Sequence, residues 1–350
     1  MLVTGSINIL TLKYIDTLKS ENTEGKIVQF KHPILQTCGM FLGETLCIVV
    51  FYIEKWYSSE GPQTPYNPSI FWITSICDII AIPLQFIAIT LTYASTFQML
   101  RCGVIVFSGG LSSCCLGHQF KWNHGIGIFF VILGVLIVGA IDIGEFEIGD
   151  PSPNYHTKSE QVLGCVLIAC SELIVAFKLV YEEKFVTSND VSALEAVGWH
   201  GTFGFLTLAT LLIPFNFIPV GDTIGNNPRH VLEDADDGLY QLANNVQLLT
   251  AFIVTVLTFA SFSSSAIYVT KQWSGTTRMV VDSGRILVIW IVSLAIGWQS
   301  FHALQLMGFV FLVIGMIVYN DNLIGQKVAE VCRNRVNEAE PESIEMQSLL

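Results

Sequence analysis

Apolar stretches recur along the chain, each close to the ~20 residues a helix needs to cross a ~30 Å hydrocarbon core. They cover residues 1–17, 33–53, 70–89, 95–117, 122–141, 162–181, 196–220, 246–270, 275–298 and 303–319. The first reaches only ~26 Å at 1.5 Å per residue, so it reads as a span that is short at its start. It has no basic leading segment and no cleavage site, which excludes a secretory signal. Ser95 and Thr96 are candidate N-caps of the fourth span. The fifth carries Gly125, Gly127, Gly134 and Gly139, small residues that let helices approach closely. In the loop after the seventh, residues 228–242 predict a further helix lying at the membrane interface.

The pattern therefore predicts an all-α polytopic membrane protein with ten transmembrane helices. An acidic linker over 143–159 divides them into residues 1–142 and 160–320, with a polar tail over 321–350. Five is odd, so the two five-helix halves must enter the membrane with opposite orientation, as inverted repeats. Lys55, Lys121, Lys184, Lys271, Lys327, Arg333 and Arg335 fall on the side of the tail, and Lys19, Lys26, Lys31, Lys158 and Arg229 on the other. That excess places the tail in the cytosol and the linker in the lumen.

The ninth span interrupts its apolar run with Arg278, Asp282 and Arg285, at i, i+4 and i+7 on one helical face. A charge at mid-bilayer costs roughly 2.5–3.5 kcal/mol, so the stripe must face a protein interior or a wet cavity. The fourth span repeats the pattern 180 residues earlier: Thr96, Met99 and Gly117 align with Thr276, Met279 and Gly297, and Gln98 and Arg101 supply the polar face. Glu44, Asp78 and Glu172 are further carboxylates inside spans, and these eight polar residues are the candidate substrate pathway. Glu44 and Asp78 could pair with Lys13 or Arg101, or carry protons. Lys178 is off the face of Glu172. His200 reads as a polar residue at a span end, and Ser261, Ser263, Ser264 and Ser265 as backbone-bonded helix packing.

Composition agrees. The chain is 52% hydrophobic and 13% charged, about half the charge of a soluble domain, and its mean hydropathy is +0.57. The net charge of −12 says little about partners, since much of it sits in loops and the tail, but no basic cluster with interleaved aromatics is present, which argues against nucleic acid. Most of the nine cysteines lie within apolar spans and read as packing residues, not as metal ligands or disulfides. No cofactor is implied. The absence of a GxGD motif and of Ser/His or zinc-ligand sets within the spans argues against an intramembrane enzyme.

The motifs SIN at 6–8, GMFLGE at 39–44, CD at 77–78, STFQMLR at 95–101, EEKF at 182–185 and TTRMVVDSGR at 276–285 stand in one order. In them the chain resembles subfamily F of solute carrier family 35, within the drug/metabolite transporter superfamily, and more distantly the chloroquine-resistance transporter group. The resemblance implies ten spans in two inverted repeats, cytosolic termini and a central cavity lined from both halves. Against that pattern His200 stands where an acid is expected, and Glu172 and Lys178 stand where amides are.

The expected function is secondary transport of a small polar or amphipathic solute, linked to protons. Charges of both signs suit a zwitterion or peptide-like solute. A non-transporting adaptor and a nucleotide-sugar-type exchanger are the alternatives. The tail ends in Glu345, Leu349 and Leu350, an acidic dileucine pattern that would be read by adaptor proteins for lysosomal or late endosomal sorting; the Golgi is the alternative address. The other candidate partners are the bilayer and a second copy of the chain.

Overall fold

The computed structural model describes residues 1–57, 66–91, 100–101, 103–116, 122–145, 158–189, 191–220, 229–273, 275–296, 306–315 and 317–318. Its helices are α1 (Leu2–Thr17), α2 (Pro33–Tyr57), α3 (Ile70–Leu91), α4 (Val104–Leu116), α5 (Trp122–Glu145) and α6 (Lys158–Ser188), followed by α7 (Ala193–Phe215), α8 (Ala235–Asn244), α9 (Val246–Gln272), α10 (Gly275–Ile296) and α11 (Leu306–Gly315). Among the described residues, four helical stretches are both long and apolar enough to cross a membrane: Pro33–Tyr57, Val162–Val186, Ala193–Phe215 and Val246–Gln272. Their outer faces carry exposed Val49, Val50, Ile53, Leu163, Val166, Leu206, Ile213, Ile253 and Leu257. An apolar surface of that extent suits lipid and not water.

One element departs from the all-α expectation. The loop before α2 forms an antiparallel hairpin of β1 (Lys19–Glu21) and β2 (Ile27–Gln29). Asn22 builds its turn by accepting the backbone N–H groups of Glu24 and Lys26 on Oδ1, and Gly25 supplies the left-handed residue at φ 80°. The helix expected near 228–242 is present as α8, capped by Asp234, which accepts the Asp237 N–H. It docks against the hairpin: the Thr23 N–H donates to Asp237 Oδ1 at 2.7 Å, and the Ser20 hydroxyl donates to the Gln241 carbonyl at 3.0 Å.

Several span boundaries move, and α2 runs on to Tyr57. α6 runs on to Ser188, because Glu182 and Glu183 are buried and bonded and do not end the helix. α7 starts at Ala193 and ends at Phe215, just past Pro214, which has no N–H to donate to the carbonyl four residues back and so cannot carry the helix on.

The packing has an exchange symmetry. α2 packs on α7 and α4 on α10; α3 packs on α6 as α9 does on α1; α2 packs on α9 as α7 does on α3; and α4 packs on α6 as α10 does on α1. Replacing α1, α2, α3 and α4 by α6, α7, α9 and α10 leaves these pairs unchanged, whereas the contacts of α9 with α10 and of α6 with α9 and α10 have no comparable counterpart among the described residues. The serines of α9 behave as expected: Ser261, Ser264 and Ser265 donate to the carbonyls of Leu257, Ala260 and Ser261. Gly134 of the fifth-span series meets the Gly308 carbonyl and the Leu312 backbone across α5 and α11, a backbone approach that a side chain would block.

Candidate functional site

The site begins with three glycines. Gly198, Gly201 and Gly204 line one ridge of α7, and a Cβ on any of them would collide with Ile48, Glu44 or Phe41 of α2. The two helices therefore cross with backbones nearly touching, and the residue beside Gly201 is delivered to Glu44. That residue is His200. It was expected at a span end, but it is the eighth residue of α7 and is buried. Its Nδ1 lies 2.7 Å from Glu44 Oε2, and its Nε2 lies 3.3 Å from Asp78 Oδ2, there without the alignment of a hydrogen bond. The Ser75 hydroxyl donates to the His200 carbonyl at 2.7 Å and holds α3 in register.

From Asp78 a chain of alternating charge continues. Lys178 Nζ donates to Asp78 Oδ2 at 2.6 Å and lies 3.5 Å from Glu182 Oε1, one turn along α6. Arg278 Nη1 donates to Glu182 Oε2 at 2.8 Å. Glu183 Oε2 accepts the Gly275 N–H at 3.0 Å, which ties the start of α10 to α6. Glu44 and Asp78 thus find partners other than the Lys13 and Arg101 considered from sequence.

A second group is built around Glu172. Its Oε1 accepts from Gln85 Nε2 at 3.1 Å and lies 3.7 Å from Arg101 Nε, just ahead of α4. On α10, Arg285 Nη2 donates to Asp282 Oδ2 at 2.7 Å, and the guanidinium lies over the Phe262 ring at 4.7 Å. The predicted stripe therefore divides. Arg278 joins the first network, whereas Asp282 and Arg285 form an intrahelical pair. Gln98, Glu345, Leu349 and Leu350 lie outside the described residues.

Several buried atoms of this interior have no hydrogen-bond partner among the described residues: His200 Nε2, Arg278 Nε, Asp282 Oδ1 and Arg285 Nε. Each such atom costs about 1–3 kcal/mol if left dry, more when charged, so the arrangement calls for water or a polar solute. Among the described residues no cluster of His, Cys, Asp and Glu could hold a metal ion.

Two participants were missed in the sequence. Glu182 was read as the end of a span, yet Lys178 and Glu182 at i, i+4 continue the buried face of Ala176, Leu179 and Val186. His200 was discounted because its span was started too late. An ionisable residue beside a G-x-x-G-x-x-G ridge was the available signal.

Outside the apolar helices, a cavity of about 500 Å³ is lined by Lys26, Lys31, His32, His230, Asp237 and Gln241 among others. It touches none of the intramembrane charges. At its floor His32 Nδ1 lies 2.9 Å from Glu233 Oε1, and Gln241 Nε2 donates to Asp237 Oδ2 at 2.7 Å. Burial alone would depress the His32 pKa, but the hydrogen bonds and charges of Asp237 and Glu233 outweigh it and raise it to about 9. Asp237 is also opposed by desolvation, and its bonds from His32, Thr23 and Gln241 hold it well below the usual carboxylate range.

These observations define an all-helical membrane protein, with one small hairpin, whose helices enclose opposite charges drawn from both halves of the chain. No family model matches it. It is 42% identical over 327 residues to Solute carrier family 35 member F6 of Homo sapiens and of Pongo abelii, covering 91% of this chain and 86% of each relative. An uncharacterized protein of Schizosaccharomyces pombe is 29% identical over 91% of this chain and 95% of its own length. The chain belongs to solute carrier family 35, in the drug/metabolite transporter superfamily. A crystal structure of a protein 13% identical in sequence superposes with a TM-score of 0.59 over 93% of this chain and 95% of that one, a likeness of fold alone.

Proposed function

We propose that the protein is a secondary transporter that moves a small polar or amphipathic solute across an endolysosomal membrane, linked to protons. It works by alternating access between two inverted five-helix repeats, residues 1–142 and 160–320, joined by a lumenal linker and followed by a cytosolic tail. The observation that carries this reading is the buried, incompletely bonded set of charges contributed by α2, α3 and Arg101 just ahead of α4 from one half and by α6, α7 and α10 from the other. A scaffold gains nothing from such a set, because charges in an apolar interior are costly unless they serve a solute or ion. The exchange symmetry of the helix pairs supports the repeat, and the solute carrier naming of the relatives supports carriage over catalysis.

Glu44, Asp78, Gln98, Arg101, Glu172, Arg278, Asp282 and Arg285 line the pathway in this proposal. Guanidinium and carboxylate groups both present open atoms, which suits a zwitterion: its acid would meet Arg278 or Arg285 and its ammonium would meet Asp282. The test is uptake by the purified protein in lipid vesicles, using a mixture of amino acids and short peptides read by mass spectrometry. Time-dependent accumulation above protein-free vesicles is expected. Equality with empty vesicles across the mixture and across pH gradients of both signs would favour a non-transporting adaptor.

A further inference from the structure

We infer that His200 is the proton-binding group of the transport cycle, held between Glu44 and Asp78. The inference rests on the transporter reading above and identifies which of its charges moves. The argument is one of ring chemistry. A neutral imidazole has one N–H and one lone pair. With Nδ1 2.7 Å from Glu44 Oε2 and Nε2 3.3 Å from Asp78 Oδ2, either neutral tautomer sets a lone pair against a carboxylate oxygen. Only with a second proton on the ring, or on one of the two carboxyls, do all the close contacts become attractive.

Charge balance gives the same answer independently. The connected chain Glu44–His200–Asp78–Lys178–Glu182–Arg278 contains three carboxylates and two permanent cations. It is neutral when His200 carries a proton and carries one net negative charge when it does not. An unbalanced charge in this setting is strongly disfavoured. The groups facing His200 are Glu44 from α2, Asp78 from α3, and Lys178 and Glu182 from α6. α9, which also packs on α7, has no Asp, Glu, Lys, Arg or His between residues 246 and 270.

The position of the proton gives it leverage. Glu44 and Asp78 belong to the first half and His200 to the second, and α2 and α7 meet there through glycines with no side-chain padding. Protonation adds attraction across this contact, and proton loss replaces it with lone-pair and carboxylate repulsion at the same atoms. The N–H bond at the imidazole is the only bond made or broken. A cationic group of the solute entering the network restores neutrality once the proton has left, which couples the two movements in opposite directions.

The test uses the proton itself as the probe. Full-length protein carrying ¹⁵N-histidine is placed in lipid, and its imidazole signals are followed with pH; the signal absent from His200→Gln identifies His200. In parallel, vesicles on a solid-supported electrode receive a pH jump without solute. The expected result is an imidazolium signal at neutral pH that is absent from His200→Gln, with a charge displacement that His200→Gln abolishes. If His200→Gln does not fold, Glu44→Gln serves instead and should diminish the displacement. A neutral imidazole at neutral pH, a wild-type displacement in Glu44→Gln, or a wild-type displacement in folded His200→Gln would overturn the inference. Solute uptake that persists with no pH-jump displacement would overturn it and leave the transporter reading standing.

Discussion

Asp282→Asn separates a transport role from a structural one. The side chain keeps its shape but exchanges one acceptor oxygen for an NH2 donor and loses the charge opposite Arg285. Removing one member of a buried ion pair costs about 3–5 kcal/mol when the other is stranded. Two features reduce that figure here. The Asp282 side chain is 21% exposed, and Arg285 retains the face of Phe262 at 4.7 Å. An effect of about 2–3 kcal/mol is therefore expected, within a native stability of about 5–15 kcal/mol, so the protein should remain folded with a melting temperature lowered by several degrees. Uptake should nevertheless be lost, because Asp282 Oδ1 is a buried acceptor with no partner among the described residues and is open to the solute. Glu182→Gln is the comparison. That carboxylate serves Arg278 at 2.8 Å and Lys178 at 3.5 Å with only 2% of its side chain exposed, so the full penalty should apply and abundance should fall. The assay combines abundance, thermal melting in detergent and vesicle uptake. Unaltered uptake by Asp282→Asn, or degradation of Asp282→Asn alongside a stable Glu182→Gln, would refute the assignment.

Gly201→Ala should destabilise by about 1–3 kcal/mol, because the added Cβ meets the Thr45 amide nitrogen at 2.6 Å and the Glu44 carbonyl carbon at 2.7 Å, and backbone cannot rotate away; a melt equal to that of lipid-facing Leu206→Ala would contradict this. The His32 contribution has a defined pH window. Its pKa is raised from 6.5 to about 9, so its stabilisation, about 3 kcal/mol, is fully present below pH 6.5 and is lost as pH rises through 9. The difference in melting temperature between wild type and His32→Gln should therefore be constant in acid, shrink as pH rises from 6.5 to 9 and be gone above 9; a difference that stays constant from pH 6 to 9 would refute the network. Leu349→Ala together with Leu350→Ala should move a tagged protein from lysosomes to the cell surface, and unchanged co-localisation would dismiss the sorting signal.

The apolar periodicity alone was enough to predict helices of membrane-crossing length, because in lipid a chain must satisfy its backbone hydrogen bonds within each segment. The charged stripe on α10 and the carboxylates Glu44, Asp78 and Glu172 were legible for a related reason: an ionisable residue inside such a segment is conspicuous by its cost. Pairing was not legible. Arg278 reaches Glu182 across 96 residues, and Glu44 reaches His200 across 156. No local rule selects those partners over Lys13, Arg101 or Asp282. The selection is made by the close crossing of α2 and α7, where Gly201 removes the side chain that would have kept Glu44 and His200 apart. Helix ends were misplaced for a similar reason. Glu182, Glu183 and Glu195 look like boundary residues by polarity, yet all three are buried, and for Glu182 and Glu183 the neighbouring helix supplies the partners that make burial affordable. Sequence polarity states what a side chain would need if it were alone, and only tertiary packing decides whether a partner of opposite charge is within reach.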